Sequence, residues 1–326
     1  GKLSTSILGA IENRPGDIGA YEDLFSLCQA WAETDFTAAH RANKQLKDMC
    51  DRMMDKVPMS QVEGFYSLWR RGLLFEAPHD FDSYLTYMEL DRQAKKRFYQ
   101  PRKKQLKPVV DALQALCGDD ELDLLAVSLP PGVGKTTLAI FLLTWIAGRD
   151  PNNPNLTGSH SNSFVRGVYD ECLRLFDPKG EYLWNDVFPA VQVSSTNAKD
   201  CRIDLDKRQR FETLEFTSIG TGNAGLYRAA NLLYCDDLVS GIEVALSKER
   251  LDKLWETYTT DLRQRKIGDK CKELHIATRW SVHDVIGRLE REYENNPRAK
   301  FIRIPAMNED DESNFDYEIN VSESTH

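Results

Sequence analysis

The chain has 326 residues of ordinary globular composition, 41% hydrophobic and 29% charged, enough for one large or two modest packed bodies. A net charge of -9 and a pI near 5.3 exclude total charge as the attraction for a nucleic acid, so any basic surface has to be local. Seven scattered cysteines without Cys-x-x-Cys spacing and six isolated histidines exclude a disulfide frame and a zinc site and read as reduced thiols in a cytosolic protein. No apolar run reaches membrane-spanning length and no secretory signal is read, so no membrane association is expected. The first residue is Gly1 rather than Met, and the ends are not taken as natural ends.

Residues 1 to about 98 read as helical. Leu24, Phe25, Leu27, Cys28 and Trp31 share one helical face; Leu46, Met49, Cys50, Met53 and Met54 share another; Val62, Phe65, Tyr66 and Trp69 make a third. Pro58 and Pro78 punctuate, and Phe81 to Phe98 reads as a fourth helix ending in the charged run Arg92 to Arg97. Such stripes serve helix packing, or a small subdomain that contacts a neighbour. Tyr99-Gln100-Pro101 then precedes a helix over 102–117. A glutamine offers a donor and an acceptor to an adenine edge, and an aromatic ring can stack on a base.

The central stretch is Leu129-Pro130-Pro131-Gly132-Val133-Gly134-Lys135-Thr136-Thr137. A buried-type strand, Leu122 to Leu129, leads in, and an apolar helix, Leu138 to Ala147, leads out. Strand, glycine-rich loop and Gly-Lys-Thr at a helix start form a phosphate-cradling loop, because glycines let backbone N–H groups approach phosphate oxygens and the helix start adds N–H groups and a positive dipole end. The loop Pro131, Gly132, Val133, Gly134, Lys135, Thr136 and Thr137 is therefore expected to hold ATP, with Lys135 on the β/γ-phosphates and the Thr136 hydroxyl on Mg²⁺. Leu129 stands where the consensus has glycine.

Next come a strand over Asn155 to His160, a helix over Asn162 to Phe176, an irregular stretch over 177–200, and a hairpin of Arg202 to Asp206 and Thr213 to Ile219. The hairpin tip, Lys207-Arg208-Gln209-Arg210, is a solvated turn or a DNA contact. A glycine-rich loop over 220–225 feeds the strand Leu232 to Cys235, which ends in Asp236-Asp237. An apolar strand ending in an acidic pair supplies a carboxylate for the metal's water shell, Asp236, and one that polarises attacking water, Asp237 or the nearby Glu243. Leu246 to Lys266 reads as one long helix, and Arg263, Arg265, Lys266, Lys270 and Lys272 as a second basic cluster, either phosphate-contacting or merely solvated. A strand over Glu273 to Ala277, a helix over Val282 to Tyr293, a strand over Lys300 to Ile304 and an acidic linker or tail over 308–323 complete the chain.

Pro130-Pro131 before Gly134-Lys135-Thr136, Gly220-Thr221-Gly222 before Leu232 to Asp237, Ala245-Leu246-Ser247, Ala277-Thr278-Arg279-Trp280 with Asp284, Gly287, Arg288 and Leu289, and Ile304-Pro305-Ala306 occur in that order. Over residues 99 to 307 this resembles the ATPase half of the large terminase subunit of tailed bacteriophages, the motor that packages DNA into proheads. The resemblance implies an α/β P-loop fold of the additional-strand type, a parallel sheet between helices, preceded by a helical subdomain over 1–98 and followed by a tail over 308–326. It implies phosphate and Mg²⁺ binding by Lys135 and Thr136, a metal-site carboxylate at Asp236, a water activator at Asp237 or Glu243, γ-phosphate sensing and coupling at Thr278, and adenine binding around Tyr99 and Gln100. Many relatives carry an arginine in the phosphate loop where this chain has Gly132 and Val133. The finger is then expected from Arg166, Arg228 or Arg279, of this chain or of a neighbour in a homo-oligomeric ring. The implied partners are double-stranded DNA, the portal ring of the prohead and a small terminase subunit, in the cytoplasm of an infected bacterium; the isolated chain is expected to be monomeric and slow. No carboxylate cluster on a strand frame follows residue 307, so nuclease activity is not expected. The alternatives are a nucleotide-binding module without turnover and a helicase-like translocase.

Overall fold

A computed structural model of the chain describes residues 2–118, 121–220 and 227–315. The chain divides into two compact units, Gly1–Met88 and Glu89–His326.

The first unit is all-helical: α1 (Lys2–Asn13), α2 (Ile18–Ala32), α3 (Phe36–Met54), α4 (Met59–Glu76) and α5 (Phe81–Met88). Asp17 and Asp35 cap α2 and α3, accepting hydrogen bonds from the N–H groups of Gly19 (3.1 Å) and Ala38 (2.9 Å). The predicted stripes meet in one core of Tyr21, Leu24, Phe25, Leu46, Cys50, Phe65 and Leu68, with the rings of Tyr21 and Phe65 edge to face at 5.1 Å. Within it Glu76 is buried, paired with Lys47 and accepting from Asn43 Nδ2 and Ser83 Oγ, both at 2.8 Å.

The fourth helix ends at Met88, well short of the expected Phe98. Beyond it the Arg97 guanidinium donates to the carbonyls of Leu90 (2.6 Å) and Arg92 (3.0 Å), which winds the charged run into a turn instead of a helix. The Glu89 carboxylate accepts from the N–H groups of Phe98 and Tyr99, each at 2.9 Å, so this segment belongs to the second unit.

The second unit is an α/β body on an eight-stranded, mostly parallel mixed sheet. In chain order its elements are α6 (Lys103–Cys117), β1 (Leu124–Ser128), α7 (Lys135–Arg149), β2 (Asn155–Ser159), α8 (Asn162–Phe176), α9 (Trp184–Val187), β3 (Val193–Asn197), β4 (Arg202–Leu205), β5 (Leu214–Ser218), β6 (Leu232–Asp236), α10 (Ile242–Ala245), α11 (Lys248–Thr257), β7 (Lys272–Ala277), α12 (Val285–Glu292) and β8 (Ala299–Arg303). The spatial order is β3-β4-β5-β2-β6-β7-β1-β8. The strands β5 through β8 in that order run parallel, and β3 and β4 add an antiparallel edge.

Parallel strands covered on both faces read as continuous apolar runs, and β1 and β6 are buried at every position. Side-chain alternation sends Leu124, Ala126, Leu233 and Cys235 to a face covered by Tyr258, Leu262, Val285, Ile286 and Leu289. The opposite face carries Asp236, which meets Thr136 in the first turn of α7.

Two further expectations need correction. The stretch 177–200 contains α9 and the exposed edge strand β3, too short and polar to announce themselves. The long helix expected over 246–266 is interrupted: Ser247 caps α11, and the chain then passes through a π turn, Tyr258–Leu262, and a 3-10 turn, Arg263–Arg265. The cause is Glu273 of β7, fully buried, to which Tyr258 donates its hydroxyl and Lys266 its ammonium (3.2 Å), with Arg263 at 3.7 Å and His275 at 2.8 Å. Gly158 of β2 lets this turn approach; an added Cβ would lie 2.6 Å from Leu262 Cδ1. Within the stretch read as a tail, Asn308 turns the chain by accepting from the N–H groups of Asp310 and Glu312, and Phe315 is buried. Residues 221–226, most of the glycine-rich loop, and 316–326 lie outside the described residues.

All seven cysteines are free, and no described helix is long and apolar enough to cross a membrane.

Candidate active site

The parallel strands point the ends of β1, β6 and β7 to one pole of the sheet, and the predicted residues converge there. The loop after β1 turns through Gly132 and Gly134, both with positive φ (77° and 91°), and delivers Lys135 as the first residue of α7. At Gly134 a side chain is excluded on two counts, since a Cβ would also stand 2.3 Å from the ring of Phe98. Phe98 lies stacked on Phe141 of α7 (6.1 Å between centroids), and Glu89 fixes its backbone as described above. This strap braces the loop from behind.

Lys135 is buried and donates to Thr278 Oγ1 at 2.8 Å and to the carbonyls of Pro130 (3.3 Å) and Leu129 (3.4 Å), with Asp237 Oδ2 at 3.9 Å. Burial pushes its ammonium pKa down, opposed by the charges of Asp237 and Asp236. Thr136 Oγ1 donates to Asp236 Oδ2 (3.3 Å), which also accepts from Tyr234 OH (2.5 Å). Asp236 Oδ1 is buried and has no hydrogen-bond partner. Burial, and next the neighbouring Asp237, push the Asp236 carboxyl up to about 7.

Asp237 occupies the left-handed region at φ 35°, a conformation that costs a non-glycine residue energy and that neighbours must enforce. They do so at three of its four polar atoms: its N–H donates to Ile276 O (3.1 Å), its carbonyl oxygen lies 2.8 Å from His160 Nδ1, and its Oδ1 accepts from the Thr278 N–H (2.8 Å). Oδ2 is thereby aimed toward Lys135. Burial raises the Asp237 carboxyl pKa, offset by Lys135, the Thr278 N–H and His160. Behind Asp237 and Thr278 a cavity of about 20 Å³, enough for one water, reaches His275 and Val285.

Other predicted residues are placed elsewhere. Glu243, in the first turn of α10, is 87% exposed and pairs with Arg250 at 3.8 Å; it makes no contact with Asp237. Tyr99 is fully buried and presents no ring face to a base, whereas Gln100 is exposed. Arg279 follows Thr278 but is held by Asp284 (3.5 Å) and Glu290 (2.8 Å). Arg166 of α8 pairs with Asp170 (3.9 Å), and Arg228 lies before β6, at the opposite pole, donating to its neighbour Tyr227 O (2.8 Å). None of the three touches the loop. Glu89, Phe98, Tyr234 and His160 went unread in the sequence; only the upstream Phe98 beside Tyr99-Gln100 carried a hint.

The residues fit a magnesium nucleotide. The partnerless Asp236 Oδ1 beside the Thr136 hydroxyl offers hard oxygen donors, and the left-handed glycine loop at a helix start offers backbone N–H groups to phosphate. Among the described residues no three His, Cys, Asp or Glu side chains gather in a group that could hold a metal ion. Comparison of the chain with family models and with curated proteins finds no match.

Proposed function

We propose that the chain is a Mg²⁺-dependent ATP hydrolase that drives movement of double-stranded DNA, the ATPase part of a phage-type packaging motor. The observation that carries the hydrolase reading is the meeting of Lys135, Thr136, Asp236, Asp237 and Thr278 at one sheet pole, drawn from three strands and linked by hydrogen bonds. The order of those strands supports the additional-strand type, since β7 separates the loop strand β1 from the acidic strand β6. The motor reading rests on the ordered terminase-like blocks, and with it come the portal ring, a small subunit, further copies of the chain and the cytoplasm of an infected bacterium.

Thr136 and Asp236 would hold the metal, which when bound neutralises phosphate charge. Lys135 moves its ammonium from Thr278 and the loop carbonyls to the β/γ-phosphates, exchanging weak acceptors for anionic ones. Asp237 Oδ2 orients the attacking water and takes its proton, and its raised pKa brings it nearer to that task. Asp237 is preferred to Glu243 because Glu243 faces solvent. Thr278, released by Lys135, is free to meet the γ-phosphate, and its N–H keeps the base in place. The rigid strap at Phe98 fixes the loop so that its N–H groups need no reorganisation during reaction.

Phosphate release from Mg-ATP tests the reading. Turnover that Lys135→Ala abolishes and that duplex DNA stimulates is expected. Nucleotide binding without turnover, with and without DNA, would favour the binding-module alternative.

A further inference from the structure

We propose that the turn between β4 and β5 is the face that grips the DNA backbone, an inference that rests on reading the chain as a DNA-translocating ATPase. Because β5 runs parallel to β2, β6, β7 and β1, this turn lies at the pole opposite the nucleotide site, about 17 Å away along a five-residue strand.

The turn is a built platform. Gln209 is pinned twice, its N–H donating to Asp204 Oδ2 (3.3 Å) and its side chain to Pro151 O (2.7 Å), and Thr213 Oγ1 donates to the same carbonyl at 2.7 Å. Asp204 is in turn held by Ser195 Oγ at 3.0 Å. Around this fixed backbone Lys207, Arg208 and Arg210 are exposed and make no ion pair among the described residues. Arg228, half-buried ahead of β6, adds a fourth cation. Phe211 lies between, with the guanidinium carbons of Arg210 and Arg228 at 5.4 Å and 5.7 Å from its ring centroid, so both arginines are held without a carboxylate. The nearby acids are Asp206, which is exposed in the turn, Asp204, which pins Gln209, and Glu212 and Glu215, which pair with Arg202 at 3.5 Å and 3.8 Å; the buried Glu215 also accepts from the Arg228 N–H at 3.4 Å.

The other basic cluster read in the sequence is different. Arg263 is taken by Glu292 (3.0 Å) and Glu273 (3.7 Å), Lys266 by Glu273 and Lys272 by Asp123 at 3.3 Å, and Arg265 donates to the carbonyls of Asp261 and Thr260, so of this cluster Lys270 alone is exposed without an ion pair among the described residues. Unpaired cations on a pinned turn suit a uniform polyanion more than a protein partner, whose affinity comes from buried anchors. Such contacts position a duplex without reading its sequence.

The test is fluorescence anisotropy of a short labelled duplex against the whole chain over a salt titration. The variant Lys207→Gln/Arg208→Gln/Arg210→Gln is compared with a control, Lys179→Gln/Lys248→Gln/Lys253→Gln, that removes the same charge from other exposed sites. Each contacted phosphate contributes about 0.9 to the slope of log K against log salt, so the turn variant is expected to lose about 2–3 from that slope, with the melting temperature and the DNA-free phosphate release unchanged. The control is expected to keep the wild-type slope. Equal losses in both variants, a wild-type slope in the turn variant, no duplex binding by the wild type at low salt, or loss of an acidic peptide in place of duplex would each overturn the proposal. If the wild type hydrolyses ATP while the turn variant keeps its slope, the gripping face is wrong and the ATPase reading stands. If the slope falls in a chain that never turns over, the face stands and the ATPase reading fails.

Discussion

Asp237 concentrates the chemistry at the residue scale. Three hydrogen bonds hold it at a φ that few aspartates adopt, and they leave Oδ2 facing Lys135 at 3.9 Å. Glu243→Ala is therefore expected to change turnover less than about threefold, while Asp237→Ala lowers it by about 10²–10⁴, the usual range for a lost general base; steady-state phosphate release decides. The loop makes a second prediction. Gly134→Ala pays the positive-φ penalty and a clash with Phe98. ATP affinity is expected to fall by at least tenfold, and adding Phe98→Ala is expected to recover part of it, leaving about 1–2 kcal/mol of backbone cost. Calorimetric titration of the double-mutant cycle measures that recovery. Additive losses would mean that Phe98 does not brace the loop.

Among the elements, β7 does most to join the interior to the site. Its Thr278 end touches Lys135 and Asp237, and its buried Glu273 sets the π turn. Burial by itself raises the Glu273 carboxyl pKa, but hydrogen bonds and charges from His275, Lys266 and Tyr258 win and hold it at about 2. A carboxyl depressed from its ordinary 4.5 contributes stability that is complete above that value and disappears as pH falls from 4.5 to about 2. Its size is on the order of 3 kcal/mol. Glu273→Gln is expected to destabilise the chain at pH 7 by about 1–3 kcal/mol, because it removes the carboxylate that the half-buried Lys266 and Arg263 face, and to flatten the acid limb of the stability curve. Urea unfolding at several pH values checks both. An unchanged acid limb would show that other carboxylates govern acid unfolding. This network also marks where sequence reading fails. Periodicity locates strand and helix centres such as β1, β6 and α8, because it reports burial. It does not see that a single carboxylate in β7 will break α11 into a π turn, since that contact joins distant residues.

For the whole molecule, topology explains what was legible. Every part of the proposed nucleotide pole sits where a parallel strand ends, so loop, acidic pair and Thr278 each followed an apolar run that the sequence displays. Residues that act sideways, such as Glu89 and His160, lie in no motif. The arginine finger shows the limit most clearly: Arg279 is adjacent to Thr278 in sequence yet locked by two acids, and Arg228 lies at the far pole. With no arginine of the candidate set on the loop, turnover per chain is expected to rise with protein concentration as a neighbour supplies the charge. Flat specific activity over a wide concentration range would place the finger in the same chain.

The most direct measurement compares nucleotide affinity and single-turnover phosphate release for the wild type and Asp237→Asn. The asparagine keeps an oxygen for the Thr278 N–H but cannot take a proton. ATP binding within about threefold of the wild type, with release slowed by at least about a hundredfold, is the predicted result. Wild-type release from Asp237→Asn, or none from the wild type itself, would contradict the account of this pole as a hydrolytic site.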